Sequence, residues 1–263
     1  MNVFSHDTLS FQSLVLLYSA AGLILMYGIY FFLRICCPKL KIEDVDSDFI
    51  TGLHSALFTI TFLTLGYSLS NVSETVDKLQ QNVSIEANDL KELDILLALY
   101  GKDKTADYRK NLRLYAKSIV VDEWPLLSSY KGSEKTLDYQ RQLRKDFLDL
   151  DPQTGRELAV YSEIMKTQAK VVELRSSRIA DTKSALNSLF FLTNNIGYIG
   201  VLIISALMLT QFTWFRFISL NIQILCVSFI FASSIVLDNP YRGSDTISPE
   251  PIQQIADAPI RPY

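Results

Sequence analysis

Residues 49–101 read FITGLHSALFTITFLTLGYSLSNVSETVDKLQQNVSIEANDLKELDILLALYG. The first part, Phe49 to Leu69, contains no Asp, Glu, Lys or Arg. That matches the roughly 20 apolar residues a helix needs to cross the hydrocarbon core of a bilayer. From Val72 onward, alternating steps of four and three land on Val76, Leu79, Val83, Glu86, Leu90, Leu93, Leu97 and Tyr100. Glu86 alone breaks the stripe, and Ala87 beside it can share its place. An a/d stripe of this kind marks a helix packed lengthwise on other helices. No Pro or Gly lies between Tyr67 and Tyr100, and Gly101 supplies a stop. The stretch therefore predicts one helix, some 75 Å long at about 1.5 Å rise per residue, that leaves the lipid and enters solvent.

Outward from this stretch, the apolar sequence falls in blocks. Four windows lack any formal charge: Ser13–Leu33, Phe49–Leu69, Leu189–Leu209 and Phe217–Leu237. A charged residue at a helix centre costs about 2.5–3.5 kcal/mol on insertion scales, so four clean windows are not expected by chance. A soluble core uses shorter apolar runs than these. The reading is an all-α, four-span membrane protein in four segments: a transmembrane hairpin over 13–69, a soluble helical bundle over 70–188, a second transmembrane hairpin over 189–237, and an extended tail over 238–263. The first window has no basic residue before it and runs into Arg34 and Cys36-Cys37, so it reads as a span and not a cleaved leader. Three cysteines give no disulfide framework. Cys36 and Cys37 are expected to be buried thiols or, in a eukaryote, lipidated ones.

The soluble part, residues 72 to 188, holds 19 acidic and 19 basic side chains. A neutral domain lacks the basic face that nucleic acid requires. Three further bundle helices are predicted. One carries Tyr108, Leu112, Tyr115 and Ile119 and ends at Trp124-Pro125. A second carries Leu137, Leu143 and Phe147 and closes at Asp151-Pro152. A third runs from about Gln153 through Leu158, Ile164, Ala169 and Val172. The charges are spread along these helices, which suggests solvated faces and salt bridges rather than a site. Spans three and four form a hairpin about Gln211 to Arg216. Asn194, Asn195 and Asn221, at or near lipid depth, are expected to bond to neighbouring helices. The Pro-rich tail has no core pattern and reads as an extended strap or partly disordered chain.

Between the first two spans stand Glu43, Asp44, Asp46 and Asp48. Their spacing approaches a calcium loop, but Phe49 occupies the glycine position and Ser55 the closing glutamate position, so no calcium site is expected. In an oligomer, Asp44, Asp46 and Asp48 would ring a pore mouth with negative charge. With two histidines, no His/Cys/carboxylate cluster, no phosphate loop and no hydrolase motif, the chain offers no catalytic centre, metal site or cofactor site. Basic residues flanking the spans number six on the bundle side against four on the other, a bias that favours a cytoplasmic bundle.

Two short stretches then suggest a family. Asp122-Glu123-Trp124-Pro125 closes the second soluble helix, and Leu237-Asp238-Asn239-Pro240-Tyr241-Arg242-Gly243 follows the last span. With two spans, a helical domain and two more spans, the chain resembles the bacterial bestrophin-like domain family over roughly residues 10 to 255. The resemblance implies structural roles for Glu123, Trp124, Pro125, Asp238, Pro240 and Gly243. Through the bestrophins it implies a homopentameric anion channel in the inner membrane, with cytosolic termini. It also implies a pore lined by the second span and narrowed by side chains one turn apart. In this sequence those positions are Ser55, Phe58, Thr59, Phe62 and Gly66. Phe58 and Phe62 lie on the backward extension of the heptad stripe with Leu65 and Leu69, so the same stripe is expected to face a shared axis. Rings of Phe gate by dewetting. Ordinary helix packing explains each residue equally well. No acidic cluster near the last span suits a calcium clasp, and the acids of 43–48 favour cations at the mouth. The expected partners are the bilayer, further copies of the chain and inorganic ions. An oligomeric sensor or scaffold with a sealed centre is the alternative, and a membrane enzyme the weakest reading.

Overall fold

The computed structural model describes residues 11–36, 44–182, 188–238, 240–241 and 247–259. Every regular element among them is helical: α1 (Phe11–Cys36), α2 (Asp44–Tyr100), α3 (Lys102–Ser118), a five-residue π-helical turn (Ile119–Glu123), α4 (Trp124–Leu127), α5 (Glu134–Leu148), α6 (Gly155–Ala180), α7 (Ser188–Met208), α8 (Trp214–Leu237) and α9 (Glu250–Asp257). The chain divides into two compact units, one of residues 1–75 and 184–245, the other of 76–183 and 246–263. The long helix α2 runs unbroken through 57 residues and belongs to both.

In the first unit, α1 packs on α7 and α8, which pack on each other as the expected hairpin. Four helices here, including the start of α2, are long and apolar enough to cross a membrane. The core gathers Met26, Leu65, Val201, Leu202, Ile224 and Val227, and Tyr198 stacks on Phe231 at 4.6 Å. Outward, the helices present large apolar side chains, among them Ile24 and Phe32 of α1, Ile196 of α7 and Ile222 of α8. Such a surface suits lipid and not water. At the α7–α8 turn, Phe212, Trp214 and Phe215 are exposed, the placement that aromatic side chains favour at a membrane–water boundary. Cys36, in the last turn of α1, is exposed and not buried as expected; Cys37 lies outside the described residues.

The second unit is a helical bundle whose core joins Val83, Leu90, Leu93 and Leu97 of α2 to Leu112 and Tyr115 of α3, Phe147 of α5 and Ile164 of α6. The stop after Tyr100 falls where the sequence puts it. Gly101 has φ 151°, a conformation that side chains resist. The Thr105 hydroxyl donates to the Leu97 carbonyl at 2.7 Å, satisfying an acceptor at the end of α2. Ser133 caps α5 by accepting from Thr136, and Thr154 with Glu157 forms a capping box that starts α6.

Two expectations need correction. The second bundle helix does not end at Trp124-Pro125. It widens into the π-helical turn and restarts as α4, with Pro125 in the first turn, where a missing N–H costs nothing. The tail is not wholly extended: α9 packs on α3 and buries Ile252, while Arg113 Nε donates to the Ala258 carbonyl. An eight-residue helix with two isoleucines and a proline in its first turn shows too little periodicity to be read in advance.

Candidate functional site

Within the first unit, α2 has three faces. Toward its own helices it buries His54, Thr61, Leu65, Ser68 and Val72, on a single helical stripe. A second, apolar face exposes Phe49, Leu53, Ile60, Leu63 and Tyr67. The third exposes Asp48, Thr51, Ser55, Thr59 and Phe62, with Gly66 partly covered. Spacings of three and four residues keep these on one side of the helix. A Cβ added at Gly66 would meet nothing, so the face is open there. The hydroxyls of Thr51 and Thr59 donate back to the carbonyls of Ser47 and Ser55, both at 2.8 Å, leaving small polar surface at lipid depth.

The five pore-lining candidates therefore fall on or beside this uncovered face. Ser55, Thr59 and Phe62 are exposed, and Phe58 is half-buried against the core. Phe58 and Phe62 stack at 5.9 Å, and His54 stacks on Phe58 at 6.1 Å, a ladder that climbs from the buried stripe to the open face. Along the heptad stripe burial is uneven: Phe62 is exposed and Phe58 and Leu69 are half-buried. Leu65, Val72, Leu79, Val83, Leu90, Leu93 and Leu97 are buried by this chain alone. Periodicity shows that a helix is packed, not whose helices pack it. Of the mouth acids, Asp48 is exposed on the third face. Asp44 and Asp46 begin α2, and their side chains, like the whole of Glu43, lie outside the described residues.

The buried stripe carries neutral polar contacts to α7. His54 Nε2 and Ser205 Oγ are 3.0 Å apart, and Asn194 Nδ2 donates to Ser68 Oγ at 2.8 Å. Between them Thr61 lies against Gly197, where an added Cβ would sit 2.7 Å from its hydroxyl. Asn221 accepts from Tyr27 at 2.8 Å, whereas Asn195 donates to Phe191 of its own helix. The amides at lipid depth thus join helices at Asn194 and Asn221 only.

In the second unit the family motif has a definite place. The π-helical turn directs Glu123 into the bundle, where it is fully buried. Arg175 donates to it through Nε and Nη2, Arg178 Nη2 donates to Oε1 at 3.0 Å, and the Ser133 amide donates to Oε2 at 3.1 Å. Arg178 continues to Glu86, with Nε to Oε2 at 3.0 Å, and its guanidinium lies 5.4 Å from the Trp124 ring. Two acids and two bases are closed off together with no net charge. Burial holds the Glu86 carboxyl above its ordinary range, against the pull of Arg178. Burial likewise pushes the Tyr115 phenol up. The break in the heptad stripe is thereby explained: Glu86 belongs to an ion cluster, with Ala87 buried beside it. Salt bridges are expected on these helices, but here they are buried and not on a solvated face. The signals that could have found the cluster were the lone acid in an apolar stripe and two arginines three residues apart on one helix. Nearby, Asp94 takes Arg109 and Arg113 at 2.8 Å each. All these groups are committed to one another, an arrangement that fixes helices and leaves no group poised to attack a substrate. Among the described residues no three His, Cys, Asp or Glu could share a metal ion. At the other motif, Asp238 caps α8 and Pro240 is buried, while Asn239, Arg242 and Gly243 lie outside the described residues.

The apolar helices, the neutral polar contacts inside them and the helical bundle define a multi-pass, all-α membrane protein. The chain belongs to the bestrophin-like family: the Bestrophin-like domain matches residues 23–252, which hold most of both units. No curated protein and no solved structure gives a match.

Proposed function

We propose that the protein is a homo-oligomeric ion channel, a pentamer by analogy with the bestrophins, whose pore is lined by the third face of α2. The observation that carries this is the open stripe of Asp48, Ser55, Thr59 and Gly66 in a helix of membrane-spanning length. Lipid has no use for such a face, since hydroxyls and a carboxylate lose their hydration there. Copies meeting about a common axis would give it water or one another. Phe62 would then form the constriction, with Phe58 behind it, and the hydroxyls of Ser55 and Thr59 would replace part of an ion's water. The family supports channel activity over enzymatic activity. Anion preference rests on the family alone, because Asp48 would place negative charge at the mouth. The bundle and termini are read as cytoplasmic, in a bacterial inner membrane.

Recordings from purified protein in planar bilayers test the proposal. Ion current is expected, and Phe62→Ala is expected to raise conductance or relax gating. Silence under varied voltage, pH and calcium would instead favour the sealed scaffold. A current that Phe62→Ala leaves unchanged in conductance, gating and selectivity would remove Phe62 from the pore.

A further inference from the structure

From the aromatic ladder of α2 we infer that His54 is a proton-operated control on the constriction, which rests on the channel reading above and adds its regulation. His54 is 4% exposed, and its ring lies nearly parallel to Phe58, which lies nearly parallel to Phe62. Each ring sits one turn from the next, so the ladder joins a buried titratable group to an aromatic side chain on the open face. A stack of three rings is a rigid contact path: displacing the first removes the surface against which the second rests.

The surroundings suit the neutral ring and not the charged one. Ser205 Oγ is the hydrogen-bond partner of Nε2. The facing helix α7 contains no Asp, Glu, Lys or Arg. In α8 the one formal charge is Arg216, in the first turn and bonded to Gln211; in α1 it is Arg34, in the last turn and bonded to Tyr30. The buried phenol of Tyr198 is engaged with Ser228. On α2 itself the closest carboxylate is Asp48, on the open face. Among the described residues the partner of His54 is a hydroxyl and not a carboxylate, so a proton makes the buried position costly. The relief available is rotation toward the open face, where Ser55 and Asp48 stand. That rotation unstacks Phe58 and Phe62 and sets a positive charge beside an apolar ring, which wets a constriction that Phe62 otherwise keeps dry. Acidification therefore opens the pore.

The experiment uses the full-length protein in phosphatidylethanolamine–phosphatidylglycerol planar bilayers in symmetric KCl, titrated from pH 8 to pH 5. Current from the wild-type protein is expected to rise several-fold on acidification. His54→Gln keeps a polar group for Ser205 but cannot titrate in this range, so its current, whatever its level, should not change with pH. If that variant does not fold, Ser205→Ala serves with His54 intact, and the midpoint of the pH response is expected to move. Loss of the response in His54→Gln, or a moved midpoint in Ser205→Ala, upholds the inference. A response unchanged in both variants, or a wild-type current that falls in acid, overturns it while leaving the pore reading in place. Absence of current at every pH overturns both.

Discussion

The two units solve the same problem, a polar group inside a helical core, in opposite ways. In the membrane unit the buried contacts are neutral and few: His54 with Ser205, Asn194 with Ser68, Tyr198 with Ser228. In the bundle, Glu86, Glu123, Arg175 and Arg178 are closed off as salt bridges. The difference follows from what surrounds each unit. Lipid gives a misplaced charge nowhere to go, whereas in the bundle each ion finds a partner and several hydrogen bonds that offset its lost water.

Breaking the bundle cluster should give the largest effect. Arg178→Ala leaves Glu86 and Glu123 buried with one guanidinium between them, and removal of one partner from such a cluster costs about 3–5 kcal/mol. Size-exclusion profiles and thermal melts in detergent are expected to show a grossly destabilised or unfolded protein; a melting temperature near wild type would show that water already reaches the cluster. The membrane counterpart is smaller. Gly197→Ala drives a methyl to within 2.7 Å of the Thr61 hydroxyl, and overpacking of this kind costs about 1–3 kcal/mol. Adding Thr61→Ala removes the opposing oxygen and should restore most of the lost melting temperature. If the double variant melts no higher than the single one, the two helices do not meet at this point.

The smallest effect sharpens the comparison through pH. At Asp94, burial alone would raise the carboxyl, but hydrogen bonds and charge from Arg109 and Arg113 hold it below its ordinary range. A depressed carboxyl contributes stability above its unfolded value, and the contribution is lost as pH falls through the folded one. Asp94→Asn should therefore lower the melting temperature at neutral pH, with the gap to wild type closing in acid. Glu86 runs the other way. Its raised carboxyl favours the fold below the ordinary glutamate range, and that contribution is lost as pH rises through the raised value. Glu86→Gln should accordingly fare better against wild type as pH rises. A gap at Asp94 that widens in acid would contradict the assignment.

Much of this architecture was legible in the residues. Charge-free windows located the spans, Gly101 marked the end of α2, and Asp151-Pro152 separated α5 from α6, because each depends on neighbours close in sequence. Long-range partners were not legible. Glu86 meets Arg178 from 92 positions away, and nothing in the spacing around either one announces the other. The heptad stripe is ambiguous for a related reason: Leu65 and Leu97 look alike whether the covering helix is the chain's own or a copy's. The pore-lining candidates came from the resemblance, and they fall on or beside an open face that periodicity alone did not separate from the packed one. His54 was passed over because a single histidine in an apolar run carries no pattern.

The glycines of α2 are Gly52 and Gly66, both in the membrane unit, and from Tyr67 to Tyr100 there is neither glycine nor proline. A shaft built this way has its soft joints at one end only. Glycine weakens a helix by about 1 kcal/mol relative to alanine, so bending of α2 is cheapest in the part that carries the open face.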